Sequence, residues 1–484
     1  MILVIAATVV SAALFYFGTG THPVWWLMWL APIPVLLVVP RVRGRVAYAM
    51  AAFAWFAGTL NMWSYLRHVV VLPGNPHANL LVMPPIILVG VFVIPSLVFG
   101  LAVLLWRAFV IWNDPWRAAL VVPAVWVTYE YLVGVTSAHG TFGNLVYTQM
   151  NFLPVLQLAS VFGVWGVTFC VLFFAAAVAA LLSGAGTAGQ RQMFAAAAGL
   201  LMLVMLTFGW WRVHFMPKPE HSVMVGLLAS DLPQNVEVAD PDEDKGRLLR
   251  DYLEQVGLLA AQGARVIVLP EKLSAVVDPQ ITSETDALFQ GAATKYKCSI
   301  VVGVLRRSGN DRLNEARMYR PAHPAVVTYD KQHMLPPFES NLRPGTTRAL
   351  VSEPSGMWGV AICKDMDFPL LSRQYGKDGA GLLLVPAWDF GVDAWLHDRM
   401  AVMRGVESGF SIARAAKDGM LTVSDSRGQI LVQRSSASAP FASAVAAVPV
   451  RNIATLYSRF GDWFAWLNIA LLGMLLGSRL KCAG

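Results

Sequence analysis

The sequence predicts a polytopic helical membrane protein that carries a layered α/β domain before its last membrane span. Hydrophobic residues make up 56% of the 484 residues and charged residues only 14%, a balance typical of membrane proteins. The charges are sparse up to about Trp211, dense from Lys218 to Arg451, and sparse again afterwards. In the charged part, strand-like apolar runs alternate with helical patterns, which favours a layered α/β domain. We therefore expect a soluble insert between two membrane parts.

The apolar stretches predict about eight transmembrane helices. A bilayer core about 30 Å thick requires roughly 20 mostly apolar residues per helix, and Gly or Pro inside a stretch does not exclude it. The stretches are residues 1–18, 23–40, 46–66, 80–106, 115–134, 155–183, 192–212 and 460–478. The first stretch lacks the basic flank of a signal peptide, so we expect an uncleaved helix. The predicted domains are a membrane domain over 1–214, a soluble domain over 218–455 and a C-terminal span over 460–478.

The Lys and Arg residues of the short loops predict the orientation of the chain, because such residues concentrate on the cytoplasmic side. If the N-terminus is cytoplasmic, the short outside loops hold only Arg67. The inside loops and the C-terminal tail then hold Arg41, Arg43, Arg45, Arg107, Arg117, Arg191, Arg479 and Lys481. Seven of the apolar stretches precede the insert. We therefore expect the insert on the outer face and both termini in the cytoplasm.

The insert contains short apolar runs that predict strands, separated by segments with helical spacing. Apolar residues at helical spacing predict helices around 249–259 and over 394–408. The predicted strands are Ser222–Ala229, Arg265–Pro270, Cys298–Leu305, Ala325–Tyr329, Gly359–Cys363, Gly381–Pro386, Phe410–Ala415 and Met420–Ser424.

Three of the apolar runs lead to residues with reactive side chains: RVIVLPE to Glu271, VVTYDK to Lys331 and GVAICK around Cys363. If these strands are neighbours, a carboxylate, an ammonium and a thiol meet at their ends. A thiol becomes a good nucleophile when a base or a cation favours the thiolate. We expect Glu271 to take the Cys363 proton, and Lys331 to stabilise the oxyanion together with the N–H of Lys364. The product of this step is an acyl-enzyme thioester.

Each of the three residues also has a common structural role when taken alone. A cysteine at the end of a buried strand is usually a small core residue, a glutamate after a strand is often a turn or capping residue, and a loop lysine is usually solvated. The joint pattern is what favours a catalytic site.

The segments around these residues resemble the motifs of the nitrilase, or carbon–nitrogen hydrolase, superfamily. They read LPEKL, YDKQHMLPPFE and GVAICKDMDFP, and the run LLLVPAWD follows them. With apparent membrane helices before and after the insert, the whole chain resembles the apolipoprotein N-acyltransferase family. The segments NFLPVLQLASVFGVWGVTFC and ESGFSIARAAKDG share this resemblance. It implies an αββα sandwich docked on a membrane domain of about eight helices.

The resemblance also implies a reaction and its partners. Members of that family move an acyl chain from a phospholipid to the active-site cysteine, and then to the α-amine of a lipid-modified N-terminal cysteine on an apolipoprotein. The implied location is the bacterial cytoplasmic (inner) membrane, with the catalytic domain on the periplasmic face. We expect no cofactor or metal ion, because no histidines have metal-ligand spacing. We also expect no nucleic-acid partner, because the chain has no basic stripe.

Three further residues are expected to support the triad. Glu339 corresponds to a second glutamate of the family that would hold Lys331 in place, although a surface loop charge is the alternative. Asp365 takes the place of a glutamate two positions after the nucleophile. Lys364 stands where the family usually has tyrosine, and we expect it either to lower the pKa of Cys363 or to point to solvent.

Two other functions are compatible with the sequence. The loop that reads PPFE and the stretch from Asp389 to Arg399 depart from the family's usual forms. These departures suggest a membrane-tethered amidase that hydrolyses C–N bonds as an alternative. A non-catalytic lipoprotein-binding homologue is a further alternative, although the retained triad argues against it.

Three more residues have a functional and a structural interpretation. Glu130 is an ionisable residue in an apolar stretch, so it is either a functional group or a partner for a neighbouring helix. Trp388 and Trp395 either line a lipid entrance or pack within the domain, because indole rings favour the membrane interface.

Overall fold

The computed structural model describes residues 1–68, 85–216, 221–232, 243–321 and 323–480. The described residues that precede the insert form mainly helices. Most of their buried side chains are apolar and form one large cluster. The helices are α1 (Ile2–Gly18), α2 (Leu27–Leu30), α3 (Ile33–Val38), α4 (Gly44–Thr59), α5 (Trp63–His68), α6 (Pro85–Ile111), α7 (Pro115–Thr136), α8 (Leu153–Leu156), α9 (Ala159–Phe162), α10 (Val164–Leu182) and α11 (Ala188–Phe215).

Among the described residues, four helical segments are long and apolar enough to cross a bilayer. They are Leu88–Ile111, Pro115–Thr136, Val164–Leu182 and Ala188–Phe215. Shorter apolar helical segments are Ile2–Gly18, Leu27–Arg41, Leu153–Phe162 and Trp463–Gly477. The chain is therefore a helical membrane protein, and a total of about eight spans stays a prediction.

At least three of the predicted spans are interrupted in the described residues. The stretch 46–66 passes through a 3-10 turn, Leu60–Met62, between α4 and α5. The stretch 23–40 forms two short helices rather than one, and Pro32 lies between them. The stretch 155–183 is broken at Gly163, where a φ of +68° separates α9 from α10. A side chain at Gly163 would collide with the Tyr457 ring, so glycine is required there. The start of the predicted span 80–106 lies outside the described residues.

The insert is formed by two β-sheets with helices on their outer faces. Its helices are α12 (Glu243–Ala261), α13 (Pro279–Tyr296), α14 (Pro369–Lys377) and α15 (Ala394–Ser408), and α16 (Leu456–Phe460) and α17 (Trp463–Leu480) follow it. Its strands are β1 (Ser222–Ala229), β2 (Val266–Val268), β3 (Ser274–Val276), β4 (Ser299–Ser308), β5 (Asp311–Arg320), β6 (His323–Asp330), β7 (Ala349–Glu353), β8 (Gly356–Val360), β9 (Leu382–Trp388), β10 (Ser411–Lys417), β11 (Met420–Ser424), β12 (Ile430–Ser435) and β13 (Ala442–Pro449).

The two sheets pack face to face. In the described part of the chain, one sheet has the order β13-β1-β2-β4-β5-β6, with β3 beside β4, and the other has the order β12-β11-β10-β9-β8-β7. Side chains of both sheets form a shared core, which includes Val225 and Leu383. A second core lies between the first sheet and helices α12 and α13, where Tyr252 and Phe289 are buried. The layers are therefore α, β, β, α, which confirms the predicted nitrilase-like sandwich.

Helix α15 lies between the second sheet and the membrane helices. Its residues Leu396, Met400 and Met403 belong to the apolar cluster of the membrane part. Ala401, on another side of the helix, packs in the core between the sheets. All residues from Asp398 to Ser408 are consequently buried, and the catalytic layers are held directly against the membrane helices.

The parallel strands at the centre of each sheet determine where the site forms. Strands β1, β2 and β4 run parallel in one sheet, and β8, β9 and β10 run parallel in the other. The carboxyl ends of parallel strands meet at one edge of a sheet, where sites in α/β folds commonly lie. Glu271 follows β2 and Cys363 follows β8, so the two sheets present these residues at such edges.

A tight contact at the end of α15 gives a testable prediction about stability. Gly409 ends the helix with a φ of +82°, and a Cβ there would overlap the carbonyl oxygen of Ile453. Gly379 has a similar φ of +89° but open space around it. We expect Gly379→Ala to cost only the left-handed strain, about 1–2 kcal/mol. Gly409→Ala should cost a further ~1–3 kcal/mol, because the backbone of Ile453 must move.

The measurement is the thermal unfolding midpoint of both variants, purified in the same detergent. The midpoint of Gly409→Ala should lie clearly below that of Gly379→Ala. Equal midpoints would show that the Ile453 segment moves away at no cost and that the contact is not tight.

Candidate active site

Glu271 is held at the end of β2 by its own main chain and by a glycine opposite. Its N–H donates to the carbonyl of Ala387 at 3.3 Å, which connects the two sheets at this point. Gly303 of β4 lies against the Glu271 backbone so closely that any side chain there would overlap it. The Glu271 side chain is only 3% exposed. The carboxylate is therefore fixed inside the domain.

Lys331 follows β6 and directs its ammonium at two carboxylates. The Nζ atom lies 2.9 Å from Glu271 Oε1 and 2.8 Å from Glu339 Oε2. Lys331 is 2% exposed, and burial alone would lower the pKa of its ammonium. Glu271 and Glu339 outweigh that effect and raise this pKa well above its usual value. Lys331 is consequently a permanent cation.

Glu339 is the second carboxylate around Lys331. Besides Lys331, it accepts hydrogen bonds from the Lys272 ammonium at 2.7 Å and from the Leu335 N–H at 2.9 Å. Burial would raise the pKa of Glu339, but Lys331 and Lys272 hold it below its usual range. The structure thus places Glu339 against Lys331, as the sequence predicts, and not on the surface. The charges of the two lysines, Lys331 and Lys272, therefore balance those of the two glutamates.

Asn314 was not identified from the sequence, yet it joins the two carboxylates. Its side-chain amide donates to Glu271 Oε1 at 2.6 Å and to Glu339 Oε1 at 2.8 Å. The main-chain carbonyl of Asn314 accepts a hydrogen bond from the Lys331 N–H at 2.8 Å. Asn314 lies in β5, a strand that the sequence pattern did not predict because charged residues occupy much of it. The adjacent Lys272 was missed as well, although it directly follows Glu271 in the LPEKL motif.

Cys363 lies in a turn and not at a strand end. Strand β8 ends at Val360, and Cys363 begins a short 3-10 turn with a φ of +43°. Such a backbone conformation is uncommon for a residue with a side chain, and strained conformations of this kind cluster at active sites. The predicted strand Gly359–Cys363 is therefore wrong at its end. The backbone turns sharply at Cys363, which is half-buried.

The thiol of Cys363 lies in a half-buried position beside the second sheet. Its Sγ is 3.4 Å from the carbonyl oxygen of Trp388, at the end of β9. Burial raises the pKa of the thiol well above its usual value, and the charge of Glu271 raises it further. Lys331 acts in the opposite direction but does not cancel these effects. The resting thiol is therefore neutral and needs a base at the moment of reaction.

Asp365 connects the Cys363 turn to the loop that follows Lys331. It is fully buried, and its oxygens accept from the N–H groups of Ile362 at 3.1 Å and His333 at 3.0 Å. They also accept from the Tyr329 hydroxyl at 2.7 Å. Because these donors come from both segments, the carboxylate fixes the two segments relative to each other. A supporting role for Asp365 stays a prediction.

Lys364 is buried and does not point to solvent, which corrects one of its two predicted placements. The residue is only 3% exposed. Its ammonium lies 3.0 Å from Asp367 Oδ2 and 3.4 Å from His139 Nδ1. His139 belongs to the loop after α7, so the Lys364 side chain extends towards the membrane part.

A buried ion pair lies on the second sheet near the site. Arg414 of β10 binds Asp389 through two hydrogen bonds of 2.8 and 2.5 Å. Both groups influence the pKa of Cys363, which Asp389 raises and Arg414 lowers. Neither residue was a candidate from the sequence, and their bidentate contact forms only because β9 and β10 pair in parallel.

The remaining sequence candidates have contacts that explain them without catalysis. Glu130 accepts from Trp126 Nε1 at 3.1 Å, from the Leu145 N–H at 2.6 Å and from Thr168 Oγ1 at 2.9 Å. It therefore joins segments of the membrane part. Trp395 packs on the membrane cluster.

The arrangement can perform acyl transfer through a covalent intermediate. It combines a thiol nucleophile, a buried carboxylate able to take its proton and a permanent ammonium that can face a developing oxyanion. The Trp388 carbonyl beside the thiol fixes the direction of the S–H group.

Comparisons with known proteins agree with both halves of this architecture. Residues 11–177 match the family model described as apolipoprotein N-acyltransferase N-terminal domain. Residues 232–455 match the model described as carbon-nitrogen hydrolase.

Individual relatives extend over nearly the whole chain. An apolipoprotein N-acyltransferase of Geobacter metallireducens is 26% identical, over 95% of this chain and 92% of the relative. One of Gloeobacter violaceus is 24% identical, again over 95% of this chain and 92% of the relative. Among solved structures, an amidase from Nesterenkonia sp. is 19% identical with a TM-score of 0.43, covering 52% of this chain and 97% of the amidase.

Proposed function

We propose that this chain, which belongs to the apolipoprotein N-acyltransferase family, transfers a fatty acyl chain from a phospholipid to an apolipoprotein by way of Cys363. The acceptor is the N-terminal α-amine of an S-diacylglyceryl-cysteine. Glu271, Lys331 and Cys363 form the catalytic triad, and Glu339, Lys364 and Asp365 support it. One observation carries the proposal: the charges of Glu271 and Lys331, whose side chains are 2.9 Å apart, both act on the neutral thiol of Cys363.

The first half-reaction forms the thioester. Glu271 takes the proton of the Cys363 thiol as the sulfur attacks an ester carbonyl carbon of the phospholipid. The carbonyl π electrons move to oxygen, and Lys331 together with the Lys364 N–H stabilises that oxyanion. When the oxyanion collapses, the C–O bond breaks and the lysophospholipid leaves with the proton from Glu271.

The second half-reaction forms the amide. The uncharged α-amine of the lipoprotein attacks the thioester carbonyl, and Glu271 removes a proton from the amine nitrogen. The Lys331 ammonium and the Lys364 N–H stabilise the second oxyanion as they do the first. The C–S bond then breaks, and the Cys363 sulfur recovers a proton from Glu271. The enzyme returns to its starting state, with one lysophospholipid and one N-acylated lipoprotein formed.

The location of the site suits a substrate drawn from the bilayer. Two contacts attach the catalytic layers to the membrane helices. The Arg427 guanidinium donates to the Val213 carbonyl at the end of α11 at 3.2 Å, and Gln157 donates to the Arg427 carbonyl at 2.8 Å. These contacts support a site held at the membrane surface, where desolvation favours the thioester chemistry.

The membrane arrangement that follows from this function has three parts. Residues 1–214 form the membrane domain, 218–455 form the catalytic domain, and 460–478 form the last of about eight spans. The catalytic domain lies on the periplasmic face of the bacterial inner membrane, with both termini in the cytoplasm. The Lys and Arg distribution of the short loops supports this orientation.

The test is a transfer assay with the full chain reconstituted in phospholipid vesicles and a diacylglyceryl peptide as acceptor. The expected products are N-acylated peptide and lysophospholipid in equal amounts, with neither formed by Cys363→Ala. Formation of free fatty acid without acylated peptide would contradict the transferase. Release of ammonia from simple amides, with no transfer to peptide, would instead support the amidase alternative.

A further inference from the structure

A second group of buried ionisable side chains lies behind the turn that carries Cys363. This group, here called the Asp367 cluster, consists of Lys364, Asp367, His397, Asp393 and Tyr65. Asp367 lies 3.0 Å from Lys364 Nζ and 3.7 Å from His397 Nδ1. His397 Nε2 lies 3.0 Å from Asp393 Oδ2, to which the Tyr65 hydroxyl donates at 2.8 Å. Cations and carboxylates therefore alternate along the cluster.

Asp367 and His397 stabilise each other's charged forms. Burial would lower the pKa of His397, but Asp393 and Asp367 raise it to about 10. Burial would raise the pKa of Asp367, but Lys364 and His397 hold it below its usual range. Burial and Lys364 lower the pKa of the neighbouring His139 to about 4. His139 is thus neutral, and its ring nitrogen can accept from the Lys364 ammonium.

The membrane part fixes the cluster through the loop that follows α7. Thr141 donates to the main-chain oxygen of Asp367 twice, from its N–H at 3.0 Å and from its hydroxyl at 2.8 Å. Gly140, with a φ of +54°, lies against the same oxygen, where a side chain would collide. The ring of Phe142 stacks on the His397 ring at 5.5 Å. Asp367 is therefore fixed by its main chain and by its side chain.

Lys364 connects this cluster to the reaction. It directly follows Cys363, so its N–H is the first main-chain donor after the nucleophile. Its side chain is bound by Asp367, and its neighbour Asp365 is bound to the Ile362 carbonyl through a 2.9 Å hydrogen bond. These contacts hold the Lys364 side chain and the Asp365 main chain, the two groups that flank the Lys364 N–H in the turn. Loss of the Asp367 carboxylate would leave the Lys364 ammonium buried without its counter-ion.

We propose that Asp367 is a positioning residue, which through Lys364 aims the main-chain N–H of the nucleophile turn at the oxyanion. The loop of residues 137–144 thereby sets the geometry of the acylation step from the membrane side. This inference rests on the proposed acyl transfer, because it assigns a function to the Lys364 N–H in that step.

Two chemical probes on the full chain in detergent separate positioning from folding. A p-nitrophenyl ester acylates Cys363 through an oxyanion: the S–acyl bond forms, p-nitrophenolate leaves, and the thiol proton passes to Glu271. Iodoacetamide alkylates the same sulfur by direct displacement of iodide, with no oxyanion. Alkylation is read on the Cys363 peptide by mass spectrometry, because other cysteines are present.

For Asp367→Asn we expect the p-nitrophenolate burst to slow about 10-fold or more, since loss of a whole oxyanion donor costs about 10²–10³-fold. The ester concentration at half-maximal burst rate and the iodoacetamide rate should each stay within about 2-fold. Asp367→Glu should recover part of the burst rate. The double variant Lys364→Met with Asp367→Asn should be no slower than the slower single variant, because the two side chains act as a pair.

The matched control is Asp378→Asn, which breaks the exposed ion pair with Arg348 (2.6 Å) and should change neither probe. If Asp367→Asn does not fold, Thr141→Val should slow the burst selectively. It removes the hydroxyl, which contacts the Asp367 oxygen and the Tyr147 hydroxyl, and keeps the N–H donor. Equal loss in both probes, or loss in neither, would overturn the positioning role. The ester assay needs no phospholipid. If the wild-type protein gives a normal p-nitrophenolate burst but transfers no acyl chain from phospholipid, the proposed lipid transfer is rejected. The function of Asp367 in acylation of Cys363 by the ester then still stands.

Discussion

Glu271→Gln should slow thioester formation on Cys363 by about 10²–10⁴-fold, the range for loss of a general base. The glutamine side chain has the size of glutamate, and its amide oxygen can still accept from Lys331 and Asn314, which lie 2.9 and 2.6 Å from Oε1. It cannot take a proton. Because the resting thiol of Cys363 is neutral, its pKa being raised by burial and by Glu271, no other route to the thiolate replaces the base.

The measurement is the single-turnover rate of Cys363 acylation with phospholipid vesicles, followed by quenching and mass spectrometry. Its control is the Glu284→Gln variant, because Glu284 is an exposed glutamate of α13 that accepts a hydrogen bond from Gln280 Nε2 at 3.0 Å. That variant should react at the wild-type rate. A Glu271→Gln rate within about 5-fold of wild type would mean that a different group takes the proton.

Lys331→Met should remove most of the activity and destabilise the protein as well. Loss of the ammonium removes one oxyanion donor, which costs about 10²–10³-fold in rate. It also leaves Glu271 and Glu339 buried next to each other with Lys272 as their remaining cation. Breaking a buried ion pair from one side typically costs about 3–5 kcal/mol. We therefore expect a lower unfolding midpoint together with slow acylation.

A second substitution separates these two effects. In Lys331→Met with Glu339→Gln, one carboxylate is neutralised, so Lys272 again balances the remaining charge of Glu271. Thermal unfolding should recover part of the lost stability, while the acylation rate should stay low. If the rate recovers along with stability, Lys331 serves the fold and not the oxyanion.

The residues proposed as the triad could be picked out from the sequence because each of their motifs is local. The segments LPEKL, YDKQHMLPPFE and GVAICKDMDFP bring a strand and its reactive residue together within a few positions, so no tertiary information is needed to find them. The strand Ser222–Ala229 and the helix over 394–408 were predicted with their observed bounds. Both have apolar patterns that continue to their ends.

The groups that surround the triad depend on contacts between distant segments. Asn314 lies in β5, where Glu315 and Arg317 are buried as an ion pair with a 2.7 Å hydrogen bond, so the strand has no apolar alternation to detect. The burial of Lys364 depends on Asp367 and on His139, which lies 225 positions away. No local pattern predicts such a pairing.

For the membrane helices, the sequence predicts the apolar stretches but not their interruptions. Hydropathy detects the apolar stretch 155–183 but not its interruption at Gly163, because the break depends on the approach of the Tyr457 ring from the far end of the chain. Composition alone therefore predicts that a stretch lies among membrane helices, but it does not predict whether the stretch is one continuous helix.

The central claim is that Cys363 accepts an acyl chain from a phospholipid, and peptide mass spectrometry tests it most directly. After incubation of the full chain with phospholipid vesicles, the peptide that contains Cys363 should gain the mass of one fatty acyl group. Hydroxylamine should remove that mass, as expected for a thioester, and Cys363→Ala should show none. An unmodified Cys363 peptide in active-site-intact protein, or the same acyl mass in Cys363→Ala, would contradict the claim.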